Sequence, residues 1–246
     1  MKLYKALKAK NVHRVVYHDQ SSKDRWVPLM TAISDEWGTL ETRSVLEGIR
    51  DCTLSPLTPR KYAETTAWAH NNGLKVRLVK SVKKFAGFSN YYEPGDDFYV
   101  TAIGRTNEVI QDPEAHLGYP ECCQQMFAAC FPTICDPVWQ WATGFQAGQA
   151  TAVSVLASPY SDPTLRYSMI RFVPHIPCNP NCPPSIEFGR KFESLMSPEL
   201  RDARLELLTA PHSWDCYRSM AIVKTTPFRL IVGSVPAAER YIVNVA

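Results

Sequence analysis

Two short cysteine clusters carry the chemistry that this sequence can support. The first is Gly118-Tyr119-Pro120-Glu121-Cys122-Cys123. The second is His175-Ile176-Pro177-Cys178-Asn179-Pro180-Asn181-Cys182. Thiolates bind borderline and soft metals and attack electrophiles, and both uses require the thiol to lose its proton near neutral pH. Pro120 predicts a helix start with Cys122 and Cys123 in the first turn, and Pro183-Pro184 predict another start directly after Cys182. The partial positive charge and open N–H groups of a helix start favour a thiolate. The prolines also stiffen both loops, so less chain entropy is lost when an ion is held.

Three kinds of centre fit these residue types. Cys122, Cys123, Cys178 and Cys182 suit an iron–sulfur cluster, which takes four thiolates. Four cysteines, or three with His175, suit tetrahedral zinc. Either pair alone suits a redox or nucleophilic thiol. Side chains of adjacent residues diverge, so Cys122 and Cys123 match two corners of a [4Fe-4S] cluster better than one ion. Cys-x3-Cys also departs from the Cys-x2-Cys zinc knuckle. The sequence therefore favours [4Fe-4S], with Zn as the alternative. His175 is the nearby acid–base group or alternative ligand, and Glu121 is a second acid–base candidate.

Two plainer readings stand beside these. Eight cysteines admit four disulfides, and free cysteines also pack as small apolar side chains. The tight local pairing, and lysines near Met1 with no apolar segment behind them, point instead to metal or catalysis in a cytoplasmic protein.

The motif pair Gly118-Tyr119-Pro120-x-Cys122-Cys123 with a following Phe127, then His175-x-Pro177-Cys178-x3-Cys182-x2-Ser185, resembles an uncharacterised family of archaeal and bacterial proteins. That family is a domain of unknown function carrying G-Y-P-x-C-C and H-x-P-C-x3-C. The resemblance covers residues 112 to 233 or so, and it implies that both clusters belong to one site. It brings no known reaction. A radical-initiating Cys-x3-Cys-x2-Cys triad is not complete, because Ser185 stands at its third position.

Other residues are weaker candidates. His116 follows Asp112 and Glu114 and could be a ligand or proton shuttle, or a surface residue of a polar turn. Cys130 falls on an apolar helix face, and Cys135 in a loop. Cys52 stands alone. His212 and Cys216 are four apart and reach one centre only if helical. Asp96-Asp97 after Pro94-Gly95 could meet a cation, although paired acids in a turn are usually solvated. Lys75, Arg77, Lys80, Lys83 and Lys84 precede Phe85, Phe88, Tyr91 and Tyr92. Such a run fits single-stranded nucleic acid, and equally a basic strand face beside core aromatics. Phosphate-loop, dinucleotide, nucleophile-elbow and His-Glu-x-x-His motifs are absent.

These candidates need a scaffold. The chain has 246 residues, enough to bury a core as one large domain or two small ones. Its 45% hydrophobic and 21% charged content is that of a globular protein, and a net charge of +3 argues for no polyanion by itself. No run is long and apolar enough for a membrane span. Strands are predicted over 12–18, 74–79, 98–103, 165–173, 220–224, 228–232 and 241–245. Helices are predicted over 30–50, 59–72, 106–117 with an interruption before Pro113, 120–131, from 137, over 183–196 and 198–209. Thr58-Pro59, Asp136-Pro137 and Ser197-Pro198 supply start signals for three of them.

The expected class is α+β: mixed or antiparallel sheet elements with a helical, cysteine-bearing central to C-terminal portion. An N-terminal α/β portion over 1–104 and a cysteine-motif portion over 105–246 are expected, with no linker between them. The predicted function is a metal-dependent enzyme, iron–sulfur before zinc, doing group or sulfur transfer, redox or dehydration chemistry on a small molecule. The alternative is a zinc-stabilised binding module for nucleic acid or a protein partner.

Overall fold

Thr58 shows how directly some of the sequence becomes structure. Its hydroxyl accepts the Lys61 N–H at 3.3 Å and opens a helix whose first residue is Pro59. The computed structural model of the chain describes residues 14–83, 97–130, 136–144, 150–218, 220–233 and 239–246. Over these, β1 (Arg14–Tyr17) is followed by the long α1 (Gln20–Leu46), β2 (Cys52–Leu57), α2 (Pro59–Asn71), β3 (Lys75–Val82), β4 (Phe98–Gly104) and α3 (Asn107–Gln111). Then come α4 (Glu121–Cys130), α5 (Pro137–Thr143), β5 (Ala152–Val155), α6 (Pro183–Glu193) and α7 (Pro198–Thr209). The last elements are β6 (His212–Tyr217), β7 (Met220–Lys224), β8 (Phe228–Gly233) and β9 (Tyr241–Val245). The protein is α+β, with one mixed and one antiparallel sheet.

The chain divides into two compact units, one of residues 37–118 and one of residues 14–36 with 119–246. The dividing line expected near residue 104 falls inside the first unit, at the end of β4. In that unit the strand order is β2-β4-β3, all antiparallel. Successive strand residues face opposite ways. Ile103 therefore packs with Val45, Ala69 and Leu74 on one face, while Ala102 packs with Cys52 and Ile110 on the other. Gly48, just beyond α1, holds a left-handed φ of 73° under Arg105, and a Cβ there would lie 2.7 Å from that guanidinium.

The second unit holds a six-stranded sheet of order β1-β8-β7-β6-β9-β5, in which only the β5–β9 pair is parallel. One face carries Trp214, Cys216, Ala221, Val223, Phe228, Leu230 and Val243, all buried. Trp26 of α1 meets Phe228 edge-on, with centroids 6.2 Å apart. The alternation buried–exposed along β7 and β8 is the pattern of a sheet with one covered face.

Three expectations differ from the structure. Residues 165–173 are not a strand. They form an irregular run with a 3-10 turn at Arg166–Ser168 and a left-handed Met169 (φ 61°). The run is enclosed between Pro163 and Pro174 and most of it is buried, so its apolar content carries no period of two. Helix α1 begins at Gln20 rather than near Met30 and runs through Pro28; Asp19 caps it by accepting the Ser22 N–H at 2.7 Å. The segment with His212 and Cys216 is a strand, not a helix.

Candidate metal centre

Pro120 fixes the first cluster. Its carbonyl accepts the N–H of Cys123 at 2.9 Å and of Gln124 at 3.1 Å, which starts α4 with both cysteines in its first turn. Gln124 closes the turn by donating to the Tyr119 carbonyl at 2.7 Å. The second cluster is a tight turn. The Asn179 carbonyl accepts the Cys182 N–H at 3.4 Å, and its side-chain oxygen accepts the Asn181 N–H at 3.0 Å. Ser158 N–H and the Ser161 hydroxyl both donate to the Pro180 carbonyl, and Asn181 donates to the Leu156 carbonyl at 2.8 Å. Cys182 is then the N-cap of α6, as Pro183-Pro184 require. Gly189 lets that helix lie against Tyr160, since a Cβ would stand 2.9 Å from the Tyr160 carbonyl.

The two clusters meet. Cys122 Sγ is 3.8 Å from Cys123 Sγ and 3.8 Å from Cys182 Sγ, and Cys123 Sγ is 3.7 Å from Cys182 Sγ. With Cys178 they form a group of four sulfurs within 4.8 Å of one another. Sixty positions of chain separate Cys122 from Cys182, and the fold closes them onto one point that can hold a metal. No protein-family model, curated protein or solved structure matches the chain.

The four sulfurs differ in surroundings. Cys123 and Cys182 are buried, Cys178 is half-buried and Cys122 is exposed. Burial pushes the Cys178 thiol up to about 12, helped by hydrogen bonds with the Cys182 and Cys122 thiols. Burial also pushes Cys123 strongly up, against opposing bonds from the Ser185 hydroxyl and the Cys178 N–H. Cys182 moves the other way. Burial raises it, but hydrogen bonding from the Ser185 side chain and main chain and from Cys178 and Cys123 outweighs burial and holds it below the ordinary thiol value. Of these three, Cys182 is thus the thiol readiest to meet an incoming ion as a thiolate.

His175 stands behind the sulfurs. Its Nε2 is 2.8 Å from Ser185 Oγ, which is 3.2 Å from Cys123 Sγ. Its ring lies 5.1 Å from that of Tyr119 and meets Phe188 edge-on at 5.5 Å. The converging ligand atoms are the four cysteines and do not include His175. Glu121 is exposed in the first turn of α4 and accepts the Gln125 side-chain N–H at 3.0 Å. In the sequence Ser185 stands out as the last residue of the family motif and as a departure from a radical triad, with no role assigned to it. The signal for its role was its spacing: it lies three residues past an N-cap cysteine, one helical turn above it.

The remaining candidates fall elsewhere. Cys130 is buried on α4 and donates to Met126 Sδ at 3.3 Å, the apolar role its helix face predicts. Cys52 is buried in the first unit with Ala102 and Ile110. His116 ends a 3-10 turn in that unit and joins no group of metal ligands among the described residues. Cys135 and Asp96 lie outside the described residues. His212 and Cys216 share a strand face but stand about 13 Å apart along it, so they do not form one centre. His212 contacts Asp162 instead, at 3.0 Å.

The basic stretch is partly engaged. A register shift after Leu78 puts Lys80 opposite Val100, and so on the same sheet face as Lys75 and Arg77. Arg77 donates to the Ile110 and Gln111 carbonyls at the end of α3. Lys83 pairs with Asp97 at 3.0 Å. Lys84 and the aromatics Phe85, Phe88, Tyr91 and Tyr92 lie outside the described residues. No helix among the described residues is long and apolar enough to cross a membrane.

Proposed function

We propose that this is a metal–thiolate protein in which Cys122, Cys123, Cys178 and Cys182 hold a single zinc ion. The observation that carries the reading is the sulfur spacing. Four sulfurs at about 2.3 Å from one ion, at tetrahedral angles, stand about 3.8 Å from each other. Three of the pairs lie at 3.7–3.8 Å. A [4Fe-4S] cluster places each thiolate outside a different iron, which spreads the sulfurs well beyond the 4.8 Å that bounds this group. The adjacency of Cys122 and Cys123 favours the cluster only while their side chains diverge. The α4 turn brings them to 3.8 Å, which supports one shared ion.

The side chains behind the sulfurs support the same reading. Ser185 donates toward the sulfurs and is itself oriented by His175, the outer support that metal ligands usually carry. Free thiolates at this density require reducing surroundings, which favours a cytoplasmic setting. Both motifs contribute to one cluster, as the resemblance to the G-Y-P-x-C-C family implies, and on that support we read the chain as a member. His175 serves as a positioning residue for Ser185 rather than as a ligand. The site's chemistry is group transfer at sulfur, with the ion holding the thiolates deprotonated.

The test is metal and sulfide analysis of protein purified without oxygen, followed by replacement of the ion with Co2+. One zinc per chain, no acid-labile sulfide and the strong visible absorption of tetrahedral cobalt thiolate are expected. A brown protein with iron and sulfide in equal amounts overturns the reading.

A further inference from the structure

The four thiols are not equivalent, and the difference selects one of them. Cys123 and Cys182 are each only 1% exposed, so no substrate reaches them. Both also carry hydrogen bonding from Ser185. Cys178 is half-buried and accepts the Asn179 side-chain N–H at 3.3 Å. Cys122 is exposed, and the polar neighbours of its sulfur among the described residues are the other thiols. A hydrogen bond to a thiolate stabilises its charge and lowers its reactivity, and burial denies access. Cys122 is not buried, and the thiol hydrogens that reach its sulfur leave when an ion binds.

Charge points the same way. One zinc ion with four thiolates carries two net negative charges, and the site buries two of the four sulfurs. Converting one thiolate to a thioether removes one of those charges. The sulfurs that can lose their charge at least cost to the rest of the site are the two outside the Ser185 network, Cys178 and Cys122, and of these Cys122 is the exposed one.

We propose that Cys122 is a metal-activated nucleophile that accepts an alkyl group from a soft, uncharged or cationic alkyl donor. The inference rests on the zinc reading above. In the step, a lone pair of the Cys122 thiolate forms a sulfur–carbon bond while the carbon–leaving-group bond breaks and its electron pair departs with the leaving group. No proton, oxidant or reductant takes part. Neutral and cationic donors are favoured over anionic ones because the thiolates and the neighbouring Glu121 carboxylate concentrate negative charge at this point. Cys122 is exposed, so the donor meets it at the protein surface, which suits a group presented on a larger molecule.

The experiment uses the zinc-loaded protein with limiting iodoacetamide, and maps adducts by peptide mass spectrometry while bound zinc is measured in the same samples. Cys122 should be carboxamidomethylated at least about tenfold faster than Cys123, Cys178 or Cys182, with zinc retained in the singly modified protein. Ser185→Ala, which releases the buried sulfurs from their donor, should leave Cys122 the first site modified. If one zinc binds but adducts spread over the four ligands or begin at Cys178, the nucleophile assignment fails and the zinc reading stands. If adducts form only as zinc is lost, the assignment also fails. If no zinc binds at all, both readings fall.

Discussion

The Nε2 atom of His175 lies 2.8 Å from the hydroxyl oxygen of Ser185, and both side chains are buried. The hydroxyl has one hydrogen to give, and Cys123 Sγ lies 3.2 Å away on its other side. An imidazole nitrogen that accepts from Ser185 competes with the sulfur. One that donates to Ser185 frees the hydroxyl hydrogen to point at the sulfur. The second arrangement is the one that supports a thiolate, and in it His175 sets the direction in which Ser185 donates.

Removing either member should weaken metal binding without removing a ligand. Ser185→Ala and His175→Phe, the latter keeping a ring between Tyr119 and Phe188, should each lower zinc affinity by about tenfold to 100-fold. Competition against a chelator of known affinity measures this. Unchanged affinity in both variants would show that the hydroxyl does not act on the sulfurs. The double variant should lose little more than the worse single one, because the two residues act in series.

The ligands themselves behave differently from their neighbours. Cys123→Ser and Cys182→Ser should abolish stoichiometric zinc and lower the melting temperature. Each removes a buried thiolate from a site that ties α4 to α6. Cys52→Ser should leave zinc content unchanged, because Cys52 packs with Ala102 and Ile110 in the other unit. Chelation of the wild-type protein should reproduce the melting shift of the two ligand variants. A chelator that strips zinc with no change in melting would mean that the ion does not staple the fold.

The local shape of each cluster was legible in the sequence because each carries its own positioning signal, whereas their meeting was implied by the family resemblance alone. Pro120 starts one helix and Pro183-Pro184 another, so the local conformation of three of the four cysteines follows from proline alone. The kind of ion was not legible, because the spacing of Cys122 and Cys123 along the chain does not give the distance between their sulfurs. Strands β7, β8 and β9 were legible since each alternates over a covered sheet face. Residues 165–173 defeated the same reasoning because they are enclosed from several sides, and apolar content without a period says only that a segment is buried. The start of α1 was hidden by Pro28, which normally ends a helix and here sits inside one.

The largely buried pair Arg204–Glu36 should be costly to break. The guanidinium side chain is wholly buried, its NH1 lies 2.6 Å from Glu36 Oε2, and NH2 donates to the Ile33 carbonyl at 3.2 Å. Glu36 also accepts the Ser197 N–H at 2.7 Å, so it anchors the start of α7. Glu36→Ala leaves a buried cation without its counter-ion and should cost about 3–5 kcal/mol. Arg204→Met, which removes the charge and keeps the volume, should cost distinctly less. Urea unfolding of the three proteins decides it, and equal losses in both variants would assign the effect to packing rather than charge.

His212 gives the stability a pH dependence. Its Nδ1 lies 2.8 Å from the Ala210 carbonyl, which only accepts, so Nδ1 carries a hydrogen. Its Nε2 lies 2.7 Å from Thr164 Oγ1 and 3.0 Å from Asp162 Oδ2, the latter a charge contact rather than an aligned hydrogen bond. Thr164 already commits its hydroxyl hydrogen to Asp162 Oδ1 at 2.6 Å, so Nε2 must donate as well. A ring that donates from both nitrogens is an imidazolium. Burial alone lowers the pKa of such a group, but Asp162 and the Ala210 carbonyl outweigh burial and raise it above 6.5. A raised folded value means that the folded state holds its proton more tightly than the unfolded chain. The stabilisation is therefore complete below pH 6.5 and is lost as pH rises through the higher folded value. Chemical unfolding of the wild type should show stability falling across that window, and His212→Gln should flatten the fall. Asp162→Asn removes the buried counter-ion and should cost about 3–5 kcal/mol at pH 6, with a smaller loss at high pH where the wild-type ring is neutral. A His212→Gln protein that keeps the full wild-type slope would place the titrating group elsewhere.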